Sequence, residues 1–164
     1  MAYWLIKSEP FKYSWDQFVN DKQTFWDGVR NYRARNFMRD DMQVGDQVIF
    51  YHSSARPSGV AGIMSVARAG YADPSQFHPE HRHYDPLATE EQPRWYMVDL
   101  KFEQAFKDIL PLSQLKFIPA LEDSLLLKKG CEQLTIIPLE PKHWYAIMDM
   151  TEALNLTSDE LGSI

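Results

Sequence analysis

"VGDQVIFYHSSARPSGVAGIMSVARAGYA", residues 44–72, decides the fold class. Residues 44–53 read as a Gly-Asp turn leading into a strand rich in β-branched and aromatic side chains. Residues 57–72 read as a second turn and a longer strand of the same kind, and the two together form a β-hairpin. Further strands are expected on both sides: "YWLIK" (3–7), stopped by Ser8-Glu9-Pro10, the strand end "TFW" (24–26), "RWYMVDLKFEQAF" (94–106) and "LTIIPL" (134–139).

Helices fall between them. Ser14, with Gln17 at the capping-box position, starts a short helix through Trp15, Phe18 and Val19. Ala34, Phe37, Met38 and Met42 make one apolar face of a helix over 31–42. Residues 112–117 and 123–128 read as short helical turns, and 141–150 as a closing helix. A Pro- and His-rich excursion occupies 73–93. The elements interleave without a βαβ rhythm, so the class is α+β with a mainly antiparallel, curled sheet. Residues 1–150 form one domain and 151–164 a weakly apolar tail.

Composition excludes several functions. With 45% hydrophobic and 13% aromatic residues in 164, the chain can bury a core of its own. Cys131 is its only cysteine, so internal disulfides and thiolate zinc sites are excluded, and the reducing cytoplasm, or the nucleus in a eukaryote, is expected. "MAYWLIKSEP" lacks a basic stretch followed by a long apolar run, and no segment reaches the ~18 apolar residues of a membrane span. Neither secretion nor membrane insertion is expected, and a monomer is the default. The formal charge of −6 argues against coating nucleic acid through a whole-surface field.

One local feature opposes that acidity. "WDGVRNYRARN" (26–36) and the residues after it carry Arg30, Arg33, Arg35 and Arg39. On a helix, Tyr32, Arg35, Asn36 and Arg39 form a polar stripe opposite the apolar face. Arginines there can hold phosphates while an aromatic ring stacks on a base, although the same spacing fits a solvated face. Trp26 before the Asp27-Gly28 turn suits a pocket wall, with Gly28 leaving the backbone open to a ligand, and it also suits a core position. His78, His81 and His83 with Asp85 have metal-like spacing, but on a loop and not on a rigid element, so no metal or cofactor is expected. His52 and Ser53 point to opposite faces of a strand and cannot act as base and nucleophile. No catalytic set is recognisable.

"YWLIKSEP" (3–10), "WDGVRNYRARN" (26–36), "VGDQVIFYHS" (44–53), "GVAGIMSV" (59–66), "HYDP" (83–86) and "PRWYMVDL" (93–100) together resemble the EVE domain family, in order and over nearly the whole chain. EVE domains belong to the PUA-like superfamily with the YTH, ASCH and PUA domains. The resemblance implies a small curled β-barrel with surrounding helices. It also implies a cleft that reads a modified nucleobase, cytosine or adenine, in DNA or RNA without catalysis; an ASCH-like hydrolase or a binder of free nucleosides is the alternative. On that reading Trp26 stacks on the base. Gly28, Val29, Arg30, Asn31 and Ser8 read its edge, Tyr51, Ser53, Lys7 and Trp95 face the same cleft, and Arg33, Arg35 and Arg39 hold the nucleic-acid backbone.

Overall fold

The computed structural model describes residues 1–154 and 156. Six strands form one sheet: β1 (Tyr3–Ser8), β2 (Gln23–Phe25), β3 (Gln47–His52), β4 (Gly59–Ala72), β5 (Tyr96–Pro111) and β6 (Ile136–Leu139), in the order β2-β5-β4-β3-β1-β6. The 44–72 hairpin is the antiparallel β3–β4 pair, and β4–β5 extends it. β1 joins β3 in parallel, with Tyr3 opposite Gln47 and Ser8 opposite His52. The sheet is therefore mixed, and it is not closed into the expected barrel, because edge strand β2 pairs with β5 and edge strand β6 with β1.

The turn before β3 is built on one buried carboxylate. Asp46 accepts hydrogen bonds from the Trp4 indole N–H (3.0 Å), Gln43 N–H (2.9 Å) and Ala2 N–H (3.1 Å), tying β1 to β3 at their starts. Trp15 then fixes the middle of the hairpin. Its ring lies so close over Gly62 that a Cβ there would stand 2.2 Å from Cζ2, and it packs on Phe50 at 5.1 Å. Only glycine gives the indole that room.

Four helices cover the sheet: α1 (Trp15–Asp21), α2 (Tyr32–Asn36), α3 (Leu112–Leu115) and α4 (Pro141–Ala153). Ser14 caps α1 by accepting from Gln17 N–H at 3.1 Å. The expected 31–42 helix begins as α2 but continues as a π-helical turn over Phe37–Asp41. That turn still buries Ala34, Met38 and Met42 against the sheet, while Phe37 packs on Trp4 at 5.4 Å. α4 runs three residues past the expected end at 150, and most of the tail, 157–164, lies outside the described residues. Among the described residues no helix is long and apolar enough to cross a membrane.

Candidate functional site

A cleft of about 920 Å³ opens where the end of β1, the β2–α2 connection and the 81–83 segment of the excursion meet. A smaller cavity of about 410 Å³, lined by Val44, Gln47 and Lys101, gathers none of the expected site residues.

Trp26 forms one wall. Its N–H continues the β2–β5 ladder by donating to Val98 O at 2.8 Å, and this sets where the ring projects. The half-buried indole meets Tyr13 edge-on (5.8 Å, 82°) and the core ring Phe50 (6.0 Å, 89°). It is thus packed against the core and still lines the cleft, so both readings of this residue apply.

Gly28 and Arg30, which line the cleft, are held by a polar network around Asp73, buried at the start of the excursion. Its carboxylate accepts from Gly28 N–H (2.8 Å), Arg30 Nη1 (3.1 Å), Ser75 N–H (2.8 Å) and Ser75 Oγ (2.6 Å). Burial alone would raise the Asp73 carboxyl, but the Ser75 hydroxyl, the two amides and Arg30 hold it below the ordinary carboxylate range. Arg30 also donates to the His83 carbonyl from Nε (3.2 Å) and Nη2 (2.7 Å), clamping the excursion onto the 26–31 loop, and its guanidinium lies 5.2 Å from the Trp95 ring. Most of its donors are therefore spent inside the protein.

Gly28 has a different use from the one expected. With φ +78° it sits in the left-handed region, and its face is covered by the His83 imidazole instead of being open to a ligand. Burial first, then Arg30, Arg82 and His81, push the His83 pKa below the ordinary histidine range. His83 N–H donates to His81 Nδ1 at 3.0 Å, so a neutral His81 carries its proton on Nε2. Both histidines line the cleft. Sequence reasoning missed them as wall residues, and Asp73 entirely. The "HYDP" block held the only signal for His83; nothing local links Asp73 to a glycine 45 positions away.

The remaining cleft residues come from β1, its neighbour and α2. Asn31 caps α2 by accepting from Ala34 N–H at 2.9 Å, so its amide nitrogen is the group left for a ligand. Ser8 donates its hydroxyl to Tyr13 O (2.6 Å) and its carbonyl accepts from Ser53 N–H (3.0 Å), joining Ser8 and Ser53 along the cleft floor. Lys7 reaches Glu132 O at 3.5 Å; burial pulls its ammonium below the ordinary lysine range, against the opposing pull of Glu132 and Cys131. Val29 also lines the cleft.

Two expected cleft residues, Tyr51 and Trp95, do not line it, and the three arginines assigned to the nucleic-acid backbone have partners of different kinds. Tyr51 is 3% exposed, because β3 turns it into the core, and burial pushes its phenol up to about 12. Trp95, 6% exposed, stacks on Tyr32 at 4.9 Å and donates Nε1–H to Asp85 at 2.7 Å, behind Arg30. Arg35 is half-buried and donates to Arg94 O (2.9 Å) and to Asn36 Oδ1 (2.8 and 3.0 Å). Arg39 pairs with Asp40 at 2.8 Å. Arg33 is exposed, with only the Phe37 ring near its guanidinium at 5.9 Å. Of the two arginines on the expected stripe, Arg35 is structural and Arg39 is paired; Arg33, off the stripe, has no carboxylate partner among the described residues.

Among the described residues, the ligand-type atoms that converge belong to Asp123, Glu140 and His143, not to the histidine loop. There His143 Nδ1 accepts from Glu140 N–H (3.0 Å), Nε2 meets Asp123 Oδ1 (2.8 Å), and Lys142 holds Asp123 Oδ2 (2.7 Å). This is a cap for α4 that ties it to the preceding loop.

A mixed, helix-covered sheet with a cleft between its β1 end and the 26–31 loop defines a domain of the EVE type. The chain belongs to the EVE domain family, whose model matches residues 2–150. It is 42% identical to thymocyte nuclear protein 1 of Homo sapiens, the match covering 70% of this chain and 56% of that protein. The chain spans about half the length of the curated relatives it matches. Among solved structures it resembles human thymocyte nuclear protein 1 in complex with 5-methylcytosine-containing DNA (TM-score 0.85, 34% identity, 93% of this chain and 98% of that one). A Pseudomonas syringae protein is similar too, at TM-score 0.86 and 40% identity over 92% of this chain and 99% of the other.

Proposed function

We propose that this chain is a non-enzymatic reader of a modified nucleobase, a modified cytosine in DNA. The observation that carries the reading is the half-buried Trp26 ring, packed at near right angles on Tyr13 and Phe50 and lining a cleft that also presents hydrogen-bond donors and acceptors. A base inspected outside its stack needs an aromatic face and polar partners along its edge, and a binding cleft of a few hundred cubic ångström or more accommodates it. Asn31, Ser8, Ser53 and His81 Nε2–H supply the polar partners. Lys7, Lys12 and Arg82 are matched by Glu9, Asp27 and Glu132 around the cleft, and Arg30 by the buried Asp73, a balance that suits a neutral base better than a phosphate. Phosphates belong outside, where Arg33 is free of carboxylates. The DNA-bound structure of the human relative supports both the polymer and the cytosine.

Catalysis is not part of the reading. Glu9 is engaged with Lys12 at 2.8 Å and Lys7 with a carbonyl at 3.5 Å, so neither is presented as a free acid or base. The EVE domain is taken as 1–150 and the site of action as the cytoplasm, or the nucleus in a eukaryote. The test is a panel of short DNA and RNA oligonucleotides with cytosine, 5-methylcytosine, adenine or methylated adenine at the centre. One modified base should bind tighter than its parent by about 1–3 kcal/mol, with no new product by mass spectrometry. Equal affinity across the panel would overturn the proposal.

A further inference from the structure

Two phenylalanines stand exposed beside the cleft. Phe25, on edge strand β2, is 59% exposed and lines the mouth. Phe11 is 75% exposed at the tip of the β1–α1 turn, which is closed by Lys12 N–H and Tyr13 N–H donating to Glu9 O at 2.9 and 3.0 Å. Glu9 and Lys12, close to it in sequence, line the cleft, so the turn that carries the Phe11 ring borders the cleft. Neither ring belongs to the hydrophobic core. An exposed aromatic on an edge strand invites self-association unless something covers it, and Phe25 stands at the mouth of the cleft, where a ligand would cover it.

We infer that Phe11 and Phe25 stack on the bases that flank the inspected one in a DNA strand. This rests on the modified-base reading above. When one base leaves the stack for the cleft, each neighbour exposes an aromatic face to water. An apolar ring at that gap restores the contact, and it does so for any sequence because every base has a π-face. Lys12 Nζ lies 5.9 Å from the Phe11 ring and pairs with Glu9 at 2.8 Å, so the ring stands beside an ion pair and not a free cation. Glu9, Lys12 and Thr24 share the mouth with the two rings, so the surface is not the contiguous apolar patch that a protein partner would need.

The test is a coupling measurement on folded protein. Both side chains are exposed, so Phe11→Ala/Phe25→Ala should fold as the wild type does, which circular dichroism would verify. The probes are single-stranded DNA oligonucleotides with one central 5-methylcytosine, the two flanking nucleotides being either intact or abasic. Removing the flanking bases should weaken wild-type binding by roughly fivefold or more, and should change binding of the double variant by less than about twofold. If both proteins lose affinity by the same factor, or the wild type is indifferent to the flanking bases, the inference is wrong. A wild type that does not separate 5-methylcytosine from cytosine in intact oligonucleotides would instead defeat the base-reading function itself, a comparison that uses neither the variant nor the abasic probes.

Discussion

The His83 imidazole covers Gly28 so closely that a Cβ on the glycine would stand 2.7 Å from His83 Nε2. Asp73 grips the same glycine from the other side through its N–H at 2.8 Å. The turn after Trp26 is thus clamped between two residues of the excursion, and the position of the Trp26 wall depends on a loop far away in sequence.

Gly28→Ala should therefore destabilise the protein by at least about 1–2 kcal/mol from the left-handed backbone alone, with a further loss from the collision with His83. The collision part should vanish in Gly28→Ala/His83→Ala. Urea denaturation of the two single variants and the double variant should give a double-variant loss smaller than the sum. Strict additivity would show that the contact carries no strain.

Asp73→Asn should lower stability at neutral pH by about 2–3 kcal/mol, because Arg30 and two amides lose a charged acceptor. The Asp73 carboxyl lies below its unfolded value, so its stabilisation is present above the unfolded pKa of about 3.9 and is lost as pH falls through the folded value. Urea titrations from neutral to acid pH should show a steep acid limb in the wild type and a flatter one in the variant. Parallel limbs would mean that other carboxylates dominate acid unfolding.

Trp26→Ala should remain folded, since the ring is only half-buried, but should melt earlier because two edge-to-face contacts worth about 0.5–1.5 kcal/mol each are removed. It should also lose about 1–3 kcal/mol of oligonucleotide affinity together with the preference for the modified base. Calorimetric titration with matched modified and unmodified oligonucleotides checks this. Retained preference would show that another surface does the reading.

Arg33→Ala should weaken modified and unmodified oligonucleotides alike and reduce the slope of log affinity against log salt by roughly one contact. Arg35→Ala should act differently. Its guanidinium holds the Arg94 carbonyl and Asn36, so its loss should appear first in thermal stability, with the salt slope unchanged. The opposite assignment of the two effects would place the phosphate path along Arg35.

The sequence by itself determined the elements and the family. Alternating and β-branched runs specify the 44–72 hairpin and the 94–106 strand; Ser14 with Gln17 specifies a cap; Ala34, Met38 and Met42 specify a buried face. All of these are local patterns of side-chain direction, readable because a strand or a helix repeats every few residues. The blocks from "YWLIKSEP" to "PRWYMVDL" named the family in the same way. Tertiary structure alone decided the rest. Whether the sheet closes depends on which partner β2 and β6 choose, and neither carries that choice in its own residues. Arg30, Arg35 and Arg39 look equivalent along the chain, yet one is buried against Asp73, one is spent on a carbonyl and one is paired next door, because a charge takes whatever partner folding brings within hydrogen-bond reach. Trp95 and Tyr51 went into the interior and His81 and His83 into the cleft for a related reason. Burial is a property of the packed whole, and no spacing within a single segment records it.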